Sequence, residues 1–131
     1  MRLLLDTHVF LWFVADDPQL SKRARDLIED PVNERLLSAA SHWEMAVKVS
    51  LGKLTLTEPF SVFIPRELQT NQVNILPVDL RHSMQLATLP FPPGNHRDPF
   101  DRLIIAQGIV EGLPIVSADS KFDAYTVTRL W

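Results

Sequence analysis

Four acids stand where an apolar stretch ends or begins: Asp6, Glu44, Asp101 and Asp119. Asp6 closes the run Leu3-Leu4-Leu5, and Asp119 follows Ile115-Val116-Ser117-Ala118. Glu44 lies in Ser41-His42-Trp43-Glu44, just after Leu36-Leu37-Ser38, and Asp101 opens the segment Leu103-Ile104-Ile105-Ala106. Carboxylates gathered at one place cannot all stay ionised without a positive partner, and a divalent cation suits oxygen donors. A cation held by carboxylates suggests phosphodiester chemistry.

Each acid also has a plainer structural use. Ser41-x-x-Glu44 has the form of a capping box. Asp98-Pro99-Phe100-Asp101 is a good helix start, with Asp98 as N-cap, Pro99 in the first helical position and Asp101 in the positive first turn. Asp119 can cap a turn at Ser120, Asp6 can accept backbone bonds at a strand end, and Glu44 has Lys48 four residues on as a surface partner. Capping alone does not require an aspartate after Leu-Leu-Leu or after Ile-Val-Ser-Ala. Asp6 and Asp119 therefore anchor the expected site.

The elements that must position these acids alternate between strand and helix. Residues 2–6 read as a buried strand. Thr7 offers an N-cap for a helix through Val9-Phe10-Leu11-Trp12-Phe13-Val14, broken at Asp16-Asp17-Pro18. Ser21 caps a second helix with an apolar stripe of Ala24, Leu27 and Ile28. A short strand from Arg35 to Ser38 leads to a third helix, from Ser41 to Gly52. A helix over Phe60 to Asn71, a strand at Asn74-Ile75-Leu76 and a helix over Leu80 to Leu86 follow. The proline-rich stretch Leu89 to Pro99 is a loop that delivers Asp98 and Asp101 to a helix ending near Gly112. Pro114 to Ser117 reads as a strand, Ser120 starts a short turn, and Val127 falls in a last edge strand. This alternation predicts an α/β fold with a mostly parallel sheet. Ligands in such sheets bind beyond the carboxyl ends of the strands, where Asp6 and Asp119 would emerge.

Composition narrows the field. With 131 residues, 46% of them hydrophobic, a single domain spanning 1–131 is expected. The absence of cysteine excludes disulfides, zinc–thiolate sites and thiol nucleophiles. The N-terminal apolar run is stopped at once by Asp6 and His8, so it reads as a strand and not a signal peptide. No run approaches the length of a membrane span, and a cytoplasmic protein is expected. The net charge of −3 counts against a strong nonspecific nucleic-acid binder, although Lys22, Arg23 and Arg25, and Lys48 with Lys53, form local basic patches. His8, His42, His82 and His96 lie in four separate elements without zinc-site spacing. No glycine-rich phosphate loop is present. The helix carrying Phe10-Leu11-Trp12-Phe13 is apolar nearly all round and must be buried on more than one side, and the apolar end Leu130-Trp131 suggests a contact surface.

Four segments, in order, resemble the motifs of PIN-domain proteins, and most nearly those of the VapC-type toxins of toxin–antitoxin pairs. They are Leu4-Leu5-Asp6-Thr7-His8, Ser41-His42-Trp43-Glu44-Met45-Ala46-Val47-Lys48, the long His96-Arg97-Asp98-Pro99-Phe100-Asp101-Arg102-Leu103-Ile104-Ile105-Ala106-Gln107, and Val116-Ser117-Ala118-Asp119-Ser120-Lys121-Phe122. The resemblance implies a three-layer α/β/α domain and an endoribonuclease dependent on Mg²⁺, with Mn²⁺ as an alternative, whose products carry a 3′-hydroxyl and a 5′-phosphate. It implies catalytic roles for Asp6, Glu44, Asp101 and Asp119, with Asp6, Asp101 and Asp119 on the metal and Asp98 left to cap. Thr7, Ser117, Asp98, Arg97 and Arg102 would support these acids or contact the RNA. It also implies a homodimer, and an antitoxin whose C-terminal segment covers the acidic pocket with a basic side chain. Two other readings use the same acids. A magnesium-dependent phosphatase or phosphotransfer domain would carry a second acid close after Asp6, which Asp6-Thr7-His8 lacks. A non-catalytic PIN-like module would have lost one of the four acids, and all four are present.

Overall fold

The computed structural model describes residues 1–131. Five strands form one sheet: β1 (Arg2–Leu5), β2 (Glu34–Ser38), β3 (Val73–Leu76), β4 (Ile115–Val116) and β5 (Arg129–Leu130). All neighbours pair in parallel, in the order β3-β2-β1-β4-β5. Six helices connect or follow them: α1 (Thr7–Val14), α2 (Lys22–Glu29), α3 (Ala39–Ser50), α4 (Phe60–Thr70), α5 (Leu80–Ala87) and α6 (Pro99–Glu111), with a 3₁₀ turn at Ser120–Ala124.

β1 is the central strand, and the unbroken Leu3-Leu4-Leu5 follows from its position, because a parallel strand covered on both faces has no solvated side. Leu3 and Leu5 join one apolar cluster with Val9 and Phe10 of α1, Ala24 and Ile28 of α2, Met45 of α3 and Ile64 of α4. Leu4 points the other way, into a cluster with Ile104 and Ile105 of α6, Leu36, Ile115 and Phe122. The result is a three-layer α/β/α arrangement. Gly108, inside α6, lets that helix lie close on β4: a Cβ there would sit 3.0 Å from Ile115 Cδ1. Gly112 ends α6 in the left-handed conformation, at φ 65°.

The chain runs from β1 outward through β2 to β3, then returns to the other side of β1 for β4 and β5. The strand order therefore reverses between β1 and β4, the kind of crevice in which open α/β sheets bind ligands. Asp6 leaves the carboxyl end of β1 there, and Ser117 to Asp119 leave the end of β4.

Several boundaries differ from the sequence reading. α3 starts from Ser38, whose hydroxyl accepts from Ala40 N at 3.0 Å, and not from Ser41. β2 passes into α3 without a loop, so Ser41 and Glu44 lie inside the helix and the capping-box reading fails. The N-cap of α1 is Asp6, and Thr7 is the first helical residue. The last strand is Arg129–Leu130 and excludes Val127; pairing begins where Ile115 N donates to Thr128 O. Trp131 is not an exposed contact surface: it is half-buried, its ring 6.0 Å from that of Trp12. Lys22 and Arg25 pair with Asp26, Asp16 and Glu29 on the solvated side of α2. No helix is long and apolar enough to cross a membrane.

Candidate active site

Asp6 turns from β1 into α1 and is only 6% exposed. Its Oδ1 accepts from Thr7 N at 2.8 Å, and its Oδ2 accepts from the Ser117 hydroxyl at 2.8 Å. Ser117 also accepts from Asp119 N at 3.0 Å, so one hydroxyl ties the ends of β1 and β4 together. Asp119 begins the 3₁₀ turn, with Oδ1 accepting from Lys121 N at 3.0 Å. Both strand-end aspartates are thus caps as well as candidate ligands. A cap uses one carboxylate oxygen and leaves the rest of the group available.

Glu44 reaches the same place from α3 and is buried. The Thr7 hydroxyl lies 2.9 Å from Glu44 Oε1 and 2.9 Å from Ser41 Oγ. Having one proton to give, Thr7 gives it to the carboxylate, the stronger acceptor, and Ser41 can close the second bond from its own hydroxyl. Glu44 Oε2 pairs with Lys48 Nζ at 2.7 Å. The Lys48 ammonium is held above its usual range, chiefly by this hydrogen bond.

Asp101 arrives on the first turn of α6. Asp98 caps that helix, its Oδ1 accepting from Phe100 N at 2.9 Å and Asp101 N at 3.0 Å. Asp98 itself is exposed at the lip. Ligating atoms of His96, Asp101 and Asp119 lie within 4.8 Å of one another. Asp6 and Asp119 line a shallow recess of about 250 Å³ with His8, Trp12 and Ala118. All four motif segments therefore meet at one rim.

The carboxylates feel each other. Burial pushes the Asp6 carboxyl above its ordinary value, against the pull of the Ser117 hydrogen bond. Asp101 is pushed up to about 7, first by burial and then by the charges of Asp98 and Asp6, with the His96 hydrogen bond opposing. Oxygen donors that resist ionisation when left to themselves are suited to a hard divalent cation, whose charge would reverse the penalty.

The two arginines part company. Arg102 is buried and turned away from the acids. Its guanidinium donates to Leu89 O at 2.6 Å, to Pro90 O at 3.1 Å and to the Tyr125 hydroxyl at 3.1 Å, and its Cζ lies 3.9 Å from the centroid of the Phe91 ring. The expectation that it contacts RNA is corrected: its donors are committed to holding the loop before α6. Arg97 is exposed, stacked over Phe91 at 4.5 Å and hydrogen-bonded to Asn95.

Two residues were missed in the sequence. The spacing of His96 fits no zinc motif, yet its ring lies against Asp101. Lys48 has the spacing of an ordinary surface partner of Glu44, yet it reaches a buried carboxylate. A histidine or lysine inside a motif that already carries an acid was the available signal.

The sequence pattern of the PIN domain family matches residues 3–127. The chain belongs to the PIN domain family. This PIN protein is 28% identical over 127 residues to Ribonuclease VapC22 of Mycobacterium tuberculosis, a match covering 97% of this chain and 94% of the relative. A shorter stretch of 59 residues is 39% identical to Ribonuclease VapC16 of the same organism, covering 45% of this chain and 42% of that one. Among solved structures, the fold is similar to a chain in VapBC2 from Rickettsia felis bound to a DNA fragment from its promoter, with TM-score 0.72, 15% identity and coverage of 99% and 98%. It is also similar to a chain in VapBC-1 from nontypeable Haemophilus influenzae, with TM-score 0.70, 18% identity and coverage of 99% and 97%. FitAcB from Neisseria gonorrhoeae gives TM-score 0.64, 23% identity and coverage of 98% and 96%. At these identities the likeness is one of fold.

Proposed function

We propose that this PIN protein is a cation-dependent endoribonuclease of the VapC kind, the toxin partner of an antitoxin. The observation that carries the reading is the meeting of Asp6, Glu44, Asp101 and Asp119 at the strand-order reversal, with Lys48 as the one cation paired to the four. The donor set is oxygen-rich, which favours Mg²⁺ and admits Mn²⁺. Asp6, Asp101 and Asp119 are the residues that would hold it.

When bound, the cation would offset charge on the phosphoryl oxygens and on the leaving oxygen. Asp6 is kept in place by Thr7 N and Ser117, and Asp119 by the turn it caps. Glu44, held by Thr7 and Lys48, is the carboxylate left to take a proton from the attacking water. Attack in line on phosphorus breaks the bond to the 3′-oxygen, which takes a proton from solvent, giving a 3′-hydroxyl and a 5′-phosphate. Arg97, exposed at the lip against Phe91 and Asn95, is the residue offered to the RNA backbone.

The antitoxin reading is supported by fold neighbours that include VapBC structures and a toxin–antitoxin complex from Klebsiella pneumoniae. Next to the acids lies a cleft of about 610 Å³, bordered by Thr7, His8 and Lys48 and lined with Leu11, Trp12, Met45 and Phe63. An apolar peptide could lie in it and set a basic side chain against the carboxylates. Homodimerisation is part of the same proposal. Leu80 and Met84, one turn apart and exposed on α5, offer one apolar surface for it. We further propose one folded unit over 1–131, acting in the cytoplasm.

The test is incubation of the purified protein with single-stranded RNA in Mg²⁺, with and without excess chelator. The reading expects cleavage that the chelator stops, and fragments that become ligatable as 5′-phosphates. Cleavage that persists in chelator would overturn it.

A further inference from the structure

His96 stands outside the four acids, on the loop between α5 and α6, yet its ring is buried and both nitrogens are engaged. Nε2 lies 3.1 Å from Asp101 Oδ2, and Nδ1 lies 2.9 Å from the Tyr125 hydroxyl. The Phe122 ring packs against it, with centroids 6.3 Å apart. The Tyr125 hydroxyl is also 3.1 Å from Arg102 Nη1.

The donor inventory orders this chain. A guanidinium only donates, so the Tyr125 oxygen accepts from Arg102. The phenol then has its one proton to give, and His96 Nδ1 is the partner in reach. A neutral imidazole that accepts at Nδ1 carries its proton on Nε2, which faces Asp101. The bonds therefore run in one direction, from Arg102 through Tyr125 and His96 to Asp101. With Asp101 ionised, above about pH 7, the opposite tautomer would set the Nε2 lone pair against a carboxylate oxygen. Arg102 is itself fixed by Leu89 O and Pro90 O, so the loop that carries His96 and the network that orients it are one construction.

We propose, resting on the cation-dependent reading above, that His96 is a positioning residue that donates from Nε2 to Asp101 Oδ2 and leaves Oδ1 to the cation. It is not a ligand, although its Nε2 lies within ligand distance of the cluster, because a nitrogen that holds a proton has no lone pair to give. Outer partners of this kind fix the orientation of a ligating group, and losing one weakens metal affinity about 10–100-fold.

The test is Mn²⁺ binding by calorimetry at about pH 8, where Asp101 is ionised, with the full chain and its variants, each checked for folding by its thermal melt. His96→Ala should weaken Mn²⁺ about 10–100-fold. His96→Gln, whose amide nitrogen can sit where Nε2 does, should restore most of the affinity. Tyr125→Phe, which touches no acid, should weaken it by a smaller factor. Ring ¹⁵N chemical shifts of the wild-type protein give a second readout and should report the Nε2–H tautomer; an Nδ1–H ring would overturn the proposal even if His96→Ala fails to fold. Unchanged affinity in His96→Ala, with loss in Asp101→Asn, overturns the positioning role alone. Equal losses in His96→Ala and His96→Gln make His96 a ligand and overturn it likewise. No Mn²⁺ binding by the wild-type chain overturns the cation-dependent reading, and this proposal with it.

Discussion

The Ser117 hydroxyl donates to Asp6 Oδ2 at 2.8 Å, joining the ends of β1 and β4 across 111 residues of sequence. Two central strands end side by side, and a buried hydroxyl holds the first acid while accepting the amide of Asp119.

Ser117→Ala removes that donor and leaves Asp6 Oδ2 buried without a protein partner. A loss of about 1–3 kcal/mol in folding stability is expected from the unsatisfied acceptor. Urea unfolding at neutral pH in the absence of metal measures it. A stability equal to wild type would mean that Asp6 is held by something other than Ser117.

Asp101 makes the metal-free fold sensitive to pH. Its folded value, about 7, lies above the ordinary 3.8, so the folded state holds its proton more tightly than the unfolded chain. The corresponding stability is fully present below 3.8 and is lost as pH rises through about 7. Asp6, shifted in the same direction, adds to the trend. Asp101→Asn should therefore melt higher than wild type near pH 8 without metal, by about the loss the wild type suffers on that rise. Added Mg²⁺ should raise the wild-type melting temperature and leave that of the variant nearly unmoved. A variant that melts below wild type in the absence of metal would contradict this.

The same shift governs metal affinity. A cation must displace whatever proton Asp101 holds, so binding should weaken as pH falls below about 7 and should release protons. Calorimetry in two buffers of different ionisation enthalpy measures the release. No buffer dependence near neutral pH would argue that Asp101 is not a ligand.

Lys48→Met separates holding the cation from handling the proton. It leaves Glu44 Oε2 without its 2.7 Å partner but does not touch Asp6, Asp101 or Asp119. We expect kcat for RNA cleavage to fall by about tenfold or more, with Mg²⁺ affinity changed little. Equal losses in both would place Glu44 among the ligands.

Arg102→Lys tests the corrected role of that arginine. Lysine cannot reproduce a fork that reaches Leu89 O, Pro90 O and Tyr125 at once. A stability loss of about 2–4 kcal/mol is expected, because buried carbonyls lose a charged donor. Arg97→Ala, at the exposed lip, should change stability by less than about 0.5 kcal/mol. The reverse pattern would return Arg102 to the RNA surface.

What was legible in the sequence and what was not divides along a physical line. Leu3-Leu4-Leu5 announced a central parallel strand, because burial on both faces leaves no polar alternation. Asp98-Pro99 and Gly112 marked both ends of α6, because caps act over a few residues. The S-x-x-E pattern at Ser41 misled for the same local reason: it cannot tell the first turn of a helix from the second when a strand runs straight into it. Ser41 instead meets Thr7, 34 residues away. His96 was illegible as a site residue because one of its partners, Tyr125, is 29 residues distant. Arg102 looked like a phosphate contact because nothing nearby in sequence showed the Leu89 and Pro90 carbonyls turned toward it. Asp6 and Asp119 were rightly placed at strand ends. They prove to be caps too, so capping and ligation are not alternatives at these positions.

A divalent cation held by the carboxylates at the β1–β4 crevice would cut RNA only while those carboxylates stay ionisable. The most direct measurement is the rate of Mg²⁺-dependent cleavage of single-stranded RNA by wild type, Asp6→Asn and Asp119→Asn, each verified as folded. The account predicts cleavage by wild type and a loss of about 10³-fold or more in both variants, the scale of removing a central electrostatic element of catalysis. Wild-type rates in either folded variant would contradict it.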